Sequence, residues 1–163
     1  MASISGMLNE HLGAALANVA ARDEMKAILE GAKTILQTSP SMANRLRDAS
    51  ITVGAENTNV RAITIQLKDE EGNDMAVRTP VLAFLLADAN GDAFVTTGGS
   101  TGIAIGTDGA LLALVAKKVF LLISEADGDI DLTWTDTGSE AAYLALLMPN
   151  GRMVISSALT NAP

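Results

Sequence analysis

The chain has 163 residues, enough for one good core plus an appendage, with 48% hydrophobic but only 3% aromatic residues and a net charge of −8. It has no cysteine, which excludes a disulfide framework, a thiol nucleophile and a Cys-based metal site. No apolar run approaches the ~18 residues of a membrane span, and no basic region followed by an apolar one opens the chain as a secretory leader would.

Residues 1–37 read as helical. Met7, Leu8, Leu12, Leu16 and Val19 recur at three- and four-residue spacings, and Met25, Ile28, Leu29, Ile35 and Leu36 repeat the pattern about one residue out of phase. Two helices, or one kinked near Ala20–Arg22, are expected, with Ser3 or Ser5 capping the first and Asp23 a second. Each stripe must bury itself, either on the chain's own β domain or on another chain. Ser39-Pro40-Ser41 breaks the helical pattern, and alternation replaces it near Asp48–Ser50. The expected organisation is a helical arm over residues 1–49 and a β-sandwich domain over residues 50–163. The arm carries equal numbers of acids and bases. The body holds the whole surplus, an acidic balance that repels phosphate backbones and argues against nucleic acid as a partner.

In the body, Ile51-Thr-Val opens a strand and Val60–Lys68 alternates as a second. Asp69–Asp74 is a charged turn. Val77–Leu86 is apolar enough for a strand buried on both faces, with Pro80 at an edge or bulge. Asp88–Asp92 is a turn, and Gly98–Gly109 a long flexible loop with a short strand at Ile103–Ile105. Ala110–Ala116 and Val119–Ser124 form a hairpin around Lys117-Lys118. From Asp129 to Asp136 polar and apolar residues alternate strictly, so Ile130, Leu132 and Trp134 face a core and Asp129, Asp131 and Thr133 face water. Asn150-Gly151 is a strong hairpin signal, so this region reads as three consecutive antiparallel strands with Tyr143, Ala145 and Leu147 also in the core. Short strands with turns every eight to twelve residues indicate an antiparallel sandwich or barrel.

Candidate chemistry is sparse. Thr97-Gly-Gly-Ser-Thr-Gly resembles a nucleotide loop, but the Ala-Ile-Gly-Thr-Asp-Gly run after Ile103 is not helical and Tyr143 has no lysine four residues on. The Asp127–Asp131 run and Asp88–Asp92 suggest hard-cation loops. Counted from Asp88, however, the sixth and twelfth positions of an EF-hand loop fall on Ala93 and Gly99. His11 is the only histidine, so no base–nucleophile pair of the usual kind exists. The expectation is a non-enzyme with no catalytic residue, no metal and no cofactor.

Gly138-Ser-Glu-Ala-Ala-Tyr143-Leu-Ala145 resembles the tyrosine corner of immunoglobulin-like domains, with Ala145 at the disulfide position and Trp134 on the preceding strand rather than the usual third. Val60–Asp69, Ile105-Gly-Thr-Asp-Gly, Ser124–Thr133 and Pro149–Ser156 resemble segments of tailed-bacteriophage virion proteins of the head-decoration, cement or head-fibre type. That resemblance covers about residues 51–158. It implies an immunoglobulin-like β-sandwich with a helical arm, made in the host cytoplasm and residing on the capsid surface. Its partners would be the major capsid protein and further copies of itself, a trimer being common in such proteins. The arm residues above would be the assembly element. The alternative is a receptor- or carbohydrate-binding β-sandwich module of a fibre or cell surface, for which clustered loop aromatics are expected and only Phe94 is present.

Overall fold

A computed structural model describes residues 45–162 together with Asp23, which is helical and exposed. The arm residues Met7, Leu8, Leu12, Leu16, Val19, Met25, Ile28, Leu29, Ile35 and Leu36 lie outside the described residues. The chain divides into two compact units, Met1–Ser41 and Met42–Pro163.

The second unit is mainly β. Its strands are β1 (Leu46–Asn57), β2 (Val60–Asp69), β3 (Pro80–Leu86), β4 (Gly102–Ile105), β5 (Ala110–Val115), β6 (Val119–Ile123), β7 (Asp129–Thr135), β8 (Tyr143–Leu147) and β9 (Met153–Ile155). They form two antiparallel sheets, β1-β2-β7-β4 and β5-β6-β3-β8-β9. One core is shared between them. The first sheet contributes Ile63, Ile65, Leu67, Ile130, Leu132 and Trp134, and the second Val81, Ala83, Leu85, Phe120, Leu122, Leu144 and Leu146. The arrangement is sandwich-like.

The first strand begins at Leu46, inside the segment that periodicity assigns to the arm. β1 and β2 turn through Thr58 and Asn59, both at positive φ (53° and 64°), and the pairing of Asn57 with Val60 leaves a two-residue loop. That is the mirror-image turn whose twist suits a hairpin. The β8–β9 turn differs from the expected Asn-Gly form. The Gly151 amide donates to the Met148 carbonyl at 2.9 Å, so Pro149 and Asn150 are the central residues. Gly151 follows at φ 82°. Pro149 pre-sets the first central φ, and Gly151 supplies the left-handed residue that lets the strands resume pairing.

Two expectations need correction. β7, β8 and β9 are not three consecutive strands of one sheet: β7 lies between β2 and β4, and β8 between β3 and β9. The chain crosses between sheets over residues 136–142. The inward face of β8 is Leu144 and Leu146, whereas Tyr143 and Leu147 are only half-buried on the other face; Ala145 is fully buried, as expected, in the row between Phe84 and Ile155. Tyr143–Leu147 is apolar at every position, so the sequence carries no period to fix its phase.

The tail is strapped down. The Leu159 amide donates to the Ala142 carbonyl at 2.8 Å, and Asn161 Nδ2 donates to the carbonyls of Asn59 (2.6 Å) and Asp136 (3.0 Å). Arg61 Nη2 donates to the Thr160 carbonyl at 2.8 Å. These bonds satisfy buried polar groups at one end of the fold.

Candidate functional site

The two outer faces of this body differ in chemistry. On the four-stranded sheet, the paired rows Ser50–Gln66–Asp129 and Thr52–Thr64–Asp131 run across β1, β2 and β7. They are polar throughout, as the alternation around Trp134 requires. Asp108 joins this face because the link after β4 is stitched to β7. The Gly106 amide donates to the Asp131 carbonyl at 2.7 Å, and the Asp131 amide to the Asp108 carbonyl at 2.9 Å.

Asp108, Asp129 and Asp131 thereby bring carboxylate oxygens within 4.8 Å of one another. Asp129 and Asp131 belong to the acidic run visible in the sequence, but Asp108 comes from a distant segment and only the β4–β7 pairing brings it in. The oxygen set is of the kind a hard cation takes. Both oxygens of Asp131 are already engaged, Oδ1 by the Thr64 hydroxyl at 3.0 Å and Oδ2 by the Thr107 hydroxyl at 2.6 Å. Asp129 Oδ1 is buried and has no hydrogen-bond partner. Burial, then the charges of Asp131, Asp127 and Asp108, push its carboxyl above the ordinary range. Next to this cluster lies a shallow groove lined by Gln66, Asp74, Met75, Glu125 and Asp127. Asp74 is paired there with Lys68 and Glu125 with Arg78. The Asp88–Asp92 loop, the other calcium-like string, closes on itself: Asp88 Oδ1 accepts from the amides of Asn90 (2.8 Å) and Gly91 (2.9 Å).

The glycine-dense loop before β4 is pinned rather than free. Glu140 accepts from the Thr97 amide (2.8 Å), the Thr97 hydroxyl (2.6 Å) and the Gly99 amide (2.9 Å). Burial opposes the Glu140 charge, but the hydrogen bonds from Thr97, Gly99 and Thr96 outweigh it and hold the carboxyl down at about 2. Lys117 Nζ donates to the carbonyls of Gly99 (3.0 Å) and Ser100 (2.8 Å), and Asp136 Oδ1 accepts from the Ser100 amide at 3.0 Å. Gly99 is at φ 75°, where a Cβ would fall 2.6 Å from the Trp134 ring. The glycines are there for close approach to the core Trp and to Lys117, not to cradle a phosphate. No His or Cys occurs among the described residues, and Asp88, Asp136 and Glu140 serve as loop clamps.

The outer face of the five-stranded sheet is the other candidate. One paired row, Leu112–Leu121–Leu82–Leu147–Met153, crosses all five strands. The next, Val115–Val119–Phe84–Ala145–Ile155, does the same. A third begins Ala110–Ile123–Pro80. Every member is apolar. At one border, the edge strand β5 leaves Leu112, Leu114 and Val115 more than half exposed, at 58%, 52% and 51%. Near the other, the Asp88–Asp92 loop and Phe94 lean on the face. Phe94 meets Phe84 edge-on with ring centroids 6.2 Å apart. Between them, Phe84, Leu86, Gly91, Ala93, Phe94 and Met153, together with the acidic Asp92, line a depression of about 180 Å³. The sequence reading of β3 as buried on both faces misses this. Its second face, Leu82 and Phe84, is only half-buried and points outward. Contiguous apolar surface of this extent on an otherwise acidic domain marks an interaction site.

No protein-family model matches the chain, and no curated protein is similar to it in sequence.

Proposed function

We propose that the protein is a non-enzymatic structural module of a virion, a decoration or cement protein of the tailed-phage head type that attaches to the major capsid shell. The observation that carries the reading is the two-faced body. One sheet presents acids, threonines and glutamine to solvent, while the paired rows crossing the other through Leu121 and Val119 are apolar throughout. A domain that must be displayed in many copies and also be held in a lattice needs both kinds of surface. Glu140 is held by two backbone amides and a hydroxyl, and each oxygen of Asp131 by one threonine hydroxyl. Such bonding rigidifies a scaffold. The immunoglobulin-like assignment of the sandwich is supported by its strand orders, in which β1-β2-β7-β4 corresponds to an A-B-E-D sheet and β3-β8-β9 to C-F-G.

In this reading residues 1–37 anchor the protein to the shell. This segment carries two apolar stripes and a net charge of only −1, four acids against three bases, so its burial strands little charge. The test is a shortened chain beginning at Met42, which keeps all of β1. It folds as a β domain by circular dichroism and no longer binds purified capsid shells, as read by particle mass in light scattering. A shortened protein that still decorates shells at full occupancy refutes the anchoring role of the arm. A full-length protein with no affinity for shells refutes the capsid reading.

A further inference from the structure

Among the described residues, no other strand packs over the outer face of the five-stranded sheet. We propose that this face is a homotypic contact, with two copies of the chain packing face to face about a twofold axis. The proposal rests on the reading of the protein as an assembly module, but not on the capsid as its target.

Charge selects a second copy as the occupant. Two chains of net charge −8 repel one another wherever their acids approach. The rows through Leu121 and Val119 contain no charged residue, and the nearest acids, in the Asp88–Asp92 loop, stand at one border, so the strand rows can meet their own copy without that penalty. The Asp108–Asp129–Asp131 cluster lies on the outer side of the opposite sheet. Face-to-face pairing therefore turns both acidic faces outward and sets them as far apart as the body allows.

Area is consistent with the same occupant. Five strands about 4.8 Å apart, carrying three paired rows about 7 Å apart, make a patch of roughly 24 by 20 Å. Two such patches in contact bury about 1,000 Å², the lower bound for a specific interface. The border at β5 adds to the case. Ala110–Val115 is an edge strand without charge or proline, and Leu112 and Leu114 are among the most exposed apolar residues described. An uncovered edge of this kind is a template for indiscriminate pairing. A twofold contact that covers it is self-complementary and closed, which makes a dimer rather than a trimer the smallest unit.

The experiment is sedimentation velocity of the full chain over about 1–200 µM, with Leu121→Lys and Leu82→Lys on the face and Thr52→Lys on the opposite face as control. The expected result is a dimer that each face variant weakens by roughly 100-fold or more, since a lysine buried there has no partner. The control keeps the parental mass, and Trp134 emission shows that all three variants are folded. Should the lysine variants fail to fold, Leu121→Cys supplies a single thiol in a cysteine-free chain. Its maleimide labelling must then slow as protein concentration rises. A parental chain that stays monomeric, one that forms a trimer, or lysine variants that keep the parental mass overturn the proposal. So does a thiol equally protected at every concentration, which would mean that residues 1–44 of the same chain cover the face, or one equally open at every concentration. Capsid attachment is scored separately. A monomer that decorates shells overturns the pairing alone, and a dimer that does not decorate them overturns the capsid reading alone.

Discussion

Replacing Glu140 by Gln isolates the clamp on the glycine-rich loop. The carboxylate accepts from two amides and one hydroxyl at 2.6–2.9 Å, and these bonds hold its pKa at about 2 against an ordinary value of 4.5. That displacement corresponds to about 3 kcal/mol in favour of the folded state at neutral pH. The side chain is partly exposed, so solvent reduces the effective contribution to about 2 kcal/mol. Gln can offer its carbonyl oxygen to Gly99 and the Thr97 hydroxyl, but its amide then faces the Thr97 N–H, donor against donor. Because the folded pKa is depressed, the contribution is fully present above pH 4.5 and is lost as the pH falls toward 2. Urea denaturation at pH 7 should show Glu140→Gln destabilised by about 2 kcal/mol, with the gap from the parent closing to within about 0.5 kcal/mol near pH 2.5. A variant as stable as the parent at pH 7, or a deficit that does not change with pH, would refute the reasoning.

Three further outcomes concern the core and the acid cluster. Trp134 is fully buried, so its native emission should be that of a shielded indole and Trp134→Ala should cost about 3–5 kcal/mol in urea melts; solvated-type emission contradicts the burial. Asp129 has a raised carboxyl and an unpartnered buried oxygen, so its ionisation weakens the fold as the pH rises out of the ordinary carboxylate range. Asp129→Asn should gain about 1 kcal/mol at pH 7, a rise of roughly 3–5 °C in Tm, and lose that advantage near pH 3; a drop in Tm at pH 7 tells against it. Chelation should leave Tm unchanged, because threonine hydroxyls already hold both oxygens of Asp131 in place; a fall of several degrees restored by calcium overturns that.

The legibility of the body depends on contrast within each strand. Asp129–Thr135 alternates carboxylate or hydroxyl with large apolar groups, so both its phase and its core residues can be read directly. Tyr143–Leu147 offers no contrast, and the inferred phase slips by one residue, putting Tyr143 and Leu147 inside when Leu144 and Leu146 are. β3 fails in a more informative way. A run apolar at every position reads as buried on both faces, yet here the second face looks outward. The signal for the exposed apolar surface is thus present in the sequence, but periodicity assigns it to the interior. Partners in pairing are not legible at all. Nothing local says that Asp108 meets Asp131, because the β4–β7 ladder sets that contact, and ladders join segments far apart in the chain.

That long-range pairing bears on how the chain acquires its shape. β2 pairs on one side with its neighbour β1, but on the other with β7, which begins at Asp129, roughly sixty residues after β2 ends. β3 likewise waits for β8. At synthesis rates of about 5–20 residues per second, β2 emerges several seconds before its second partner exists. Throughout that interval Ile63, Ile65 and Leu67 lack the β7 strand beside them, and only β3, β5 and β6 of the opposing sheet can be made. Refolding of the whole chain should fall in the millisecond-to-second range typical of long-range β topologies, and the β1–β2 hairpin is the only part of its sheet that can form early.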